Sequence, residues 1–166
     1  MNKIKTAKIL EIFFEYPDRK FTVRELSKMT RIPRASVHNY LFQLKKQRLV
    51  TKDNQSATNL LFKAKKTHYF IEKIIESGLV DFLVKNLNPS CIILFGSIRK
   101  GDSVKESDID IFVESPIKKE LILKDFEKKL NHKIQLFVKS NIQVLNPNLF
   151  NNIINGIKLY GSFNIK

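Results

Sequence analysis

The chain has 166 residues, 43% of them hydrophobic and 13 of them Phe, with only 5 Gly and 5 Pro; this suffices for one ordinary domain or two small ones and argues against long disordered tracts. A single cysteine excludes an intramolecular disulfide. The Lys-rich N-terminal residues lack an apolar signal core, and no window nears the ~18 to 20 apolar residues of a membrane span, so a soluble protein of the reducing cytoplasm, without a membrane partner, is expected.

Net charge is +14 and unevenly placed: residues 1–66 hold 16 Lys and Arg against 5 Asp and Glu, while residues 67–166 hold 14 against 11. Such a field attracts a polyanion, nucleic acid foremost, because each neutralised phosphate releases counterions. A Lys-rich surface serving solubility is the alternative. Over 6–16, apolar Ile9, Leu10, Ile12 and Phe13 recur at helical spacing, and Pro17 and Asp18 end the pattern. Thr22 followed by Glu25 is a capping-box pair, and Val23, Leu26 and Met29 give one apolar face to a short second helix ending near Thr30. Pro33 suits the first turn of a third helix, where a missing N–H costs nothing. Val37, Tyr40, Leu41 and Leu44 form its inward stripe up to about Gln47. Two short helices joined by a tight turn read as helix-turn-helix.

The outward face of the third helix carries Arg34, Ser36, His38, Asn39 and Gln43, whose donors and acceptors suit phosphates and base edges. Next, 49–51 reads as a short strand, 52–56 as a polar tip bearing Lys52, and 59–64 as a returning strand followed by Lys65 and Lys66. Three helices and a basic hairpin over 3–66 resemble the winged-helix domains of bacterial and archaeal transcription regulators. The resemblance implies a third helix in the major groove and a wing on the backbone, with Arg34, Ser36, His38, Asn39, Gln43 and Lys52 contacting DNA. Winged helices also serve as protein-protein modules. One departure is Arg48, at a turn where that family often has Gly.

Residues 67–88 contain no Gly/Ser-rich stretch. Tyr69, Phe70, Ile74 and Ile75 keep helical spacing up to Ser77 and Gly78, and a second helical segment covers 79–87. A helical linker is expected, with Phe70, Ile74, Phe82 and Leu83 as core residues or contacts of a homodimer. From Cys91 to Phe95 the chain has the length and apolar character of a buried strand, with Cys91 a buried thiol. Gly96 and Ser97 follow; a glycine lets the backbone approach a phosphate and a serine adds a hydroxyl donor. Asp108 and Asp110 lie at i and i+2 of the next apparent strand, so they share a face and repel each other without a cation such as Mg²⁺ between them.

The full pattern of Gly96, Ser97, Gly101, Ser107, Asp108 and Asp110 after an apolar strand resembles the minimal nucleotidyltransferases of the polymerase-beta-type superfamily. It extends more loosely over 79–166, with a helix at 120–130, a strand at 133–138 and a C-terminal segment at 149–160. The resemblance implies that Gly96, Ser97, Arg99, Lys100 and Ser107 hold a nucleoside triphosphate, ATP foremost, and that Asp108 and Asp110 bind Mg²⁺ and act catalytically in transferring a nucleoside monophosphate. Two departures weaken the catalytic half. Gln135 stands where members usually carry a third acid, with Glu114 the one nearby acid to weigh as its substitute, and Ile98 stands where many have Arg.

The expected organisation is α/β overall in two domains: a winged helix-turn-helix at 1–66, a helical linker at 67–88, and an α/β nucleotidyltransferase-like mixed sheet at 89–166. A DNA-binding, transcription-regulating protein that binds Mg-NTP and transfers NMP weakly is the leading expectation. An active adenylyltransferase modifying a partner toxin protein, as antitoxin-like members of the family do, is the alternative.

Overall fold

The pair Thr22 and Glu25 opens the second helix as expected in a computed structural model that describes residues 3–163 of the chain. The Thr22 hydroxyl accepts from the Glu25 amide at 3.1 Å, and the Glu25 carboxylate accepts from the Thr22 amide at 2.8 Å. Arg19 adds an ion pair to the same carboxylate at 2.8 Å. The chain divides into two units, Met1–Lys66 and Thr67–Lys166.

The first unit holds α1 (Lys3–Glu15), α2 (Val23–Thr30), α3 (Arg34–Lys46) and the first turns of α4 (Leu60–Glu76). Arg31, in the left-handed region at φ 59°, makes the tight turn between α2 and α3. Pro33 occupies the position before α3, just outside the first turn. Ile9, Phe13, Leu26, Val37, Leu41 and Leu44 are buried as their spacing predicts, whereas Tyr40 is only half-buried and Met29 is exposed. Phe21, on the loop before α2, meets Phe13 edge-on at 5.5 Å.

The returning strand expected at 59–64 is instead helix. Asn59 accepts from the Phe62 amide at 2.9 Å, which starts α4, and Phe62 is buried against Phe14 at 5.2 Å between ring centroids. A helix cap and a 3.6-residue period outweigh local strand propensity here. The hairpin survives as a tighter loop: Val50 bridges Ser56, Thr51 N donates to the Gln55 carbonyl at 2.8 Å, and Ala57 N donates to Leu49 at 3.1 Å. Ser56 ties it inward by donating to the Phe13 carbonyl at 2.8 Å. Arg48 adopts φ 57°, so the turn before Leu49 keeps a left-handed backbone without the glycine that would adopt it most cheaply.

In the second unit, α5 (Leu79–Leu87), β1 (Cys91–Phe95), α6 (Gly96–Lys100), β2 (Ile109–Glu114), α7 (Lys124–Leu130), β3 (Ile134–Lys139), α8 (Pro147–Ile154) and β4 (Ile157–Gly161) follow in order. The mixed sheet runs β3-β2-β1-β4, with β1 antiparallel to β2 and β4, and β2 parallel to β3. Alternation sends Ile92, Leu94, Ile109, Ile111 and Val113 to one face, where they meet Phe70, Ile74, Leu79, Leu83, Leu87 and Leu130. The segment expected to link the two parts thus supplies much of this core. Cys91, Ile93, Phe95 and Phe112 point to the other face, packed with Ile142 and Ile153. The helix expected at 120–130 begins only at Lys124. Before it, Leu121 and Leu123 pack on the core while Ile122 is exposed, and Leu123 caps the helix with φ −104° and ψ 0°. Among the described residues no helix is long and apolar enough to cross a membrane.

The Thr22 amide and hydroxyl, which both donate to the carboxylate, and then Arg19 hold the Glu25 carboxyl down to about 2 from an ordinary 4.5. A folded value below the unfolded one contributes stability that is full above about 4.5 and lost as pH falls towards 2. Glu25→Gln is therefore expected to melt below wild type at pH 7, with the difference closing as pH falls through that window, followed by circular dichroism.

Candidate functional site

Strand register builds the site. In the antiparallel pair of β1 and β2, Phe95 lies opposite Asp110, which brings the following residue, Gly96, under the Asp110 side chain. A Cβ built on Gly96 would stand 1.9 Å from Asp110 Oδ2, and Gly96 has φ +73°. Only glycine combines that backbone with that approach. Asp108 precedes β2 by one residue and is exposed; Asp110 is half-buried on the same face. Burial, and secondarily the charge of Asp108, push the Asp110 carboxyl above its ordinary 3.8. A half-buried carboxylate whose proton affinity is raised by a neighbouring carboxylate attracts a cation.

The parallel pairing of β2 with β3 sets Gln135 directly beside Asp110. Register neighbours in a sheet point to the same face, so the exposed Gln135 side chain lies on the face that carries Asp110. Glu114 does not substitute for a third acid. It lies at the far end of β2, where its carboxylate accepts from the Ser90 hydroxyl at 2.6 Å and from the Ile142 amide at 2.8 Å. Among the described residues no group of three or more His, Cys, Asp or Glu is placed to hold a metal ion. The carboxylates of Asp108 and Asp110, with the Gln135 amide beside Asp110, nonetheless offer oxygen donors. These fit a hard cation such as Mg²⁺, which takes one or two protein carboxylates and completes its shell with water and substrate phosphates.

The other candidate nucleotide contacts divide. Ser97 is half-buried in the first turn of α6, close in sequence to Gly96. Arg99 and Lys100 occupy its last turn, and the Thr67 hydroxyl lies 3.2 Å from the carbonyls of both Ile98 and Arg99, holding that turn. Ser107 is engaged in its own loop, where its hydroxyl accepts from the Val104 amide at 2.9 Å. Ile98, at the position where arginine is common, is wholly buried in the core. Cys91 is buried with its thiol pushed up to about 11, chiefly by burial, which leaves it protonated and unreactive at neutral pH.

In the first unit, Arg34, His38 and Asn39 are exposed on α3, and Ser36 and Gln43 are half-exposed. Lys52 is exposed on the hairpin, and its carbonyl accepts from Lys45 Nζ at 2.9 Å, so α3 and the hairpin are tied together. Lys45 and the half-exposed Phe42 also line a groove of about 240 Å³ with His38, Leu41, Val23 and Asn54. Sequence reasoning missed Lys45 because a lysine in the last turn of a helix ordinarily needs no explanation beyond the helix dipole. It also missed Thr67 and His132, whose partners lie 25 or more residues away.

A glycine under a strand carboxylate, a second carboxylate two residues before it and a mixed sheet behind them define a nucleotidyltransferase-type domain. The Nucleotidyltransferase domain family model matches residues 76–160, more than half of the chain, and this chain belongs to that family. The IclR helix-turn-helix domain model matches residues 4–54, so a DNA-binding domain precedes it. None of the curated proteins matches the chain.

Because the folded Asp110 carboxyl titrates above its ordinary value, its ionisation costs stability. That cost is absent below about 3.8 and grows as pH rises through it towards the folded value. In metal-free buffer at pH 7, Asp110→Asn is expected to melt a few degrees above wild type, with the gap vanishing in acid, as read by differential scanning fluorimetry.

Proposed function

We propose that this protein is a DNA-binding regulator whose second unit binds a nucleoside triphosphate with Mg²⁺ and has lost most or all of its transfer chemistry. The observation that carries the reading is the register of Asp110, which has Gly96 on one side and Gln135 on the other. Gly96 offers bare backbone at the end of β1, and the Ser97 hydroxyl offers a donor for a phosphate oxygen. Arg99 and Lys100 add positive charge one turn away. Mg²⁺, when bound, supplies the charge that aligns a triphosphate and offsets the mutual repulsion of the carboxylates. Asp108 and Asp110 are the residues that would hold it. Gln135 cannot take a proton from an attacking nucleophile, as a carboxylate at that position would. ATP is the first nucleotide to test.

For the first unit, the exposed row of Arg34, His38 and Asn39, with Ser36 and Gln43 beside it and Lys52 on the hairpin, supports contact with phosphates and base edges. The excess of 16 basic over 5 acidic side chains in residues 1–66 supports a polyanion as the ligand. A homodimer and a partner toxin protein have no observation in their favour.

Isothermal titration of the full chain with Mg-ATP is expected to show saturable binding that Asp108→Ala and Asp110→Ala each weaken by at least about tenfold. Absence of heat with folded protein would sink the nucleotide reading. Incorporation of label from ATP into a partner, abolished by both substitutions, would restore the active-transferase reading in its place. On duplex DNA, affinity is expected to fall on the order of 100-fold between about 50 and about 200 mM salt, the response for about four neutralised phosphates. Arg34→Ala should weaken binding and flatten that slope in fluorescence anisotropy; a flat slope for wild type would count against phosphate contacts.

A further inference from the structure

Asp108 stands just outside β2, so the strand ladder alone does not hold it. Its two flanking peptide groups are instead fastened to one short stretch of chain between α7 and β3. On the C-terminal side, the Ile109 amide donates to the Lys133 carbonyl at 2.8 Å. On the N-terminal side, His132 Nδ1 lies 2.7 Å from the Ser107 carbonyl. A carbonyl only accepts, so Nδ1 carries the proton and the side chain acts as a donor.

His132 is held firmly within the second unit. It is 6% exposed, and its ring meets Phe70 edge-on at 5.3 Å. Asn131 before it takes the left-handed backbone at φ 58° that ends α7 and turns the chain towards β3. The Asn131 carbonyl in turn accepts from Lys105 Nζ at 3.2 Å, a second tie to the loop that leads into Asp108. Residues 131–133 thus grip the 105–109 segment at three points. Of these, the buried imidazole is the one that fixes the peptide group immediately before the carboxylate.

We propose that His132 is a positioning residue for Asp108, setting through the Ser107 carbonyl where that carboxylate sits and hence the affinity of the carboxylate pair for a divalent cation; this rests on the metal-nucleotide reading above. The role requires a donor at the Nδ1 position and nothing else of the imidazole. Asparagine places its amide nitrogen close to where Nδ1 lies, whereas glutamine places it nearer to the Nε2 position.

The test is the Mg²⁺ concentration that half-saturates binding at fixed, excess ATP, measured by titration calorimetry on the full chain as wild type, His132→Asn and His132→Gln. Wild type and His132→Asn should share one midpoint, and His132→Gln should need at least about tenfold more Mg²⁺, the usual consequence of losing a group that orients a metal ligand. A merely structural role would lower the melting temperature of both variants in EDTA and leave the midpoint where it was. The proposal is overturned if the Gln variant keeps the wild-type midpoint or if Asn fails to rescue it. Should the Gln variant not fold, long-range ¹⁵N–¹H correlation of the wild-type ring decides: a protonated Nδ1 supports the contact, and a bare Nδ1 refutes it. If wild type itself shows no Mg²⁺-dependent ATP binding, the underlying reading fails along with this one, whereas a normal Gln variant removes only the role of His132.

Discussion

The Asp110 carboxylate lies against the Cα of Gly96, and the second unit is arranged around that approach. It requires a residue without a Cβ, a left-handed backbone at φ +73° and a β1–β2 register that sets Phe95 opposite Asp110. Any side chain at position 96 would have to displace the carboxylate or the strand that carries it. The result is a half-buried acid next to a second acid, an arrangement that costs stability when both are ionised and that a cation placed between them would relieve. Functional sites commonly retain this kind of local penalty, which the rest of the fold must offset.

The offset comes from the other face of the same sheet. Because side chains alternate along β2, the residues between the acids and beyond them, Ile109, Ile111 and Val113, are fully buried against helices α4, α5 and α7. A one-residue slip in β2 would exchange acids for core residues, so packing of one face enforces the geometry of the other. The two ends of β2 also divide the labour. Glu114 accepts hydrogen bonds from Ser90 and Ile142 at one end, while Asp110, and Asp108 just before the strand, stand at the other. With Gln135 beside Asp110, the strand neighbour of that carboxylate is an amide, which cannot accept a proton as a third acid would.

In the first unit, ties between the parts do more than regular strand pairing. The hairpin holds only one bridge, yet Ser56 anchors it to α1 and Lys45 links its Lys52 carbonyl to α3. Polar side chains of α3 and the hairpin are therefore presented on elements whose relative position is set by specific bonds. Arg48 in the left-handed region shows that this turn is demanded by the fold strongly enough to be adopted by a residue that pays for it sterically.

By itself the sequence determined what local chemistry and period can express. The Thr22–Glu25 capping box, the first three helices and the buried β1 all rest on bonds or spacings within a few residues, and each appears where the spacing sets it, whereas β2 begins at Ile109, one residue after the first of the two acids. Tertiary structure decided the rest. Residues 59–64 read as strand by composition but are helix, because Asn59 caps it and Phe62 finds Phe14, a partner 48 positions earlier in the chain. Leu121 and Leu123 pack on the core from irregular chain where a helix looked equally natural. The sequence named Asp110, Gly96 and Gln135 as neighbours only through resemblance; the sheet register made them so. Nothing local marks His132 at all, since its partner is the Ser107 carbonyl 25 residues away, and a backbone acceptor leaves no trace in residue type. Contacts between distant parts of a chain become legible only once the fold has brought them together.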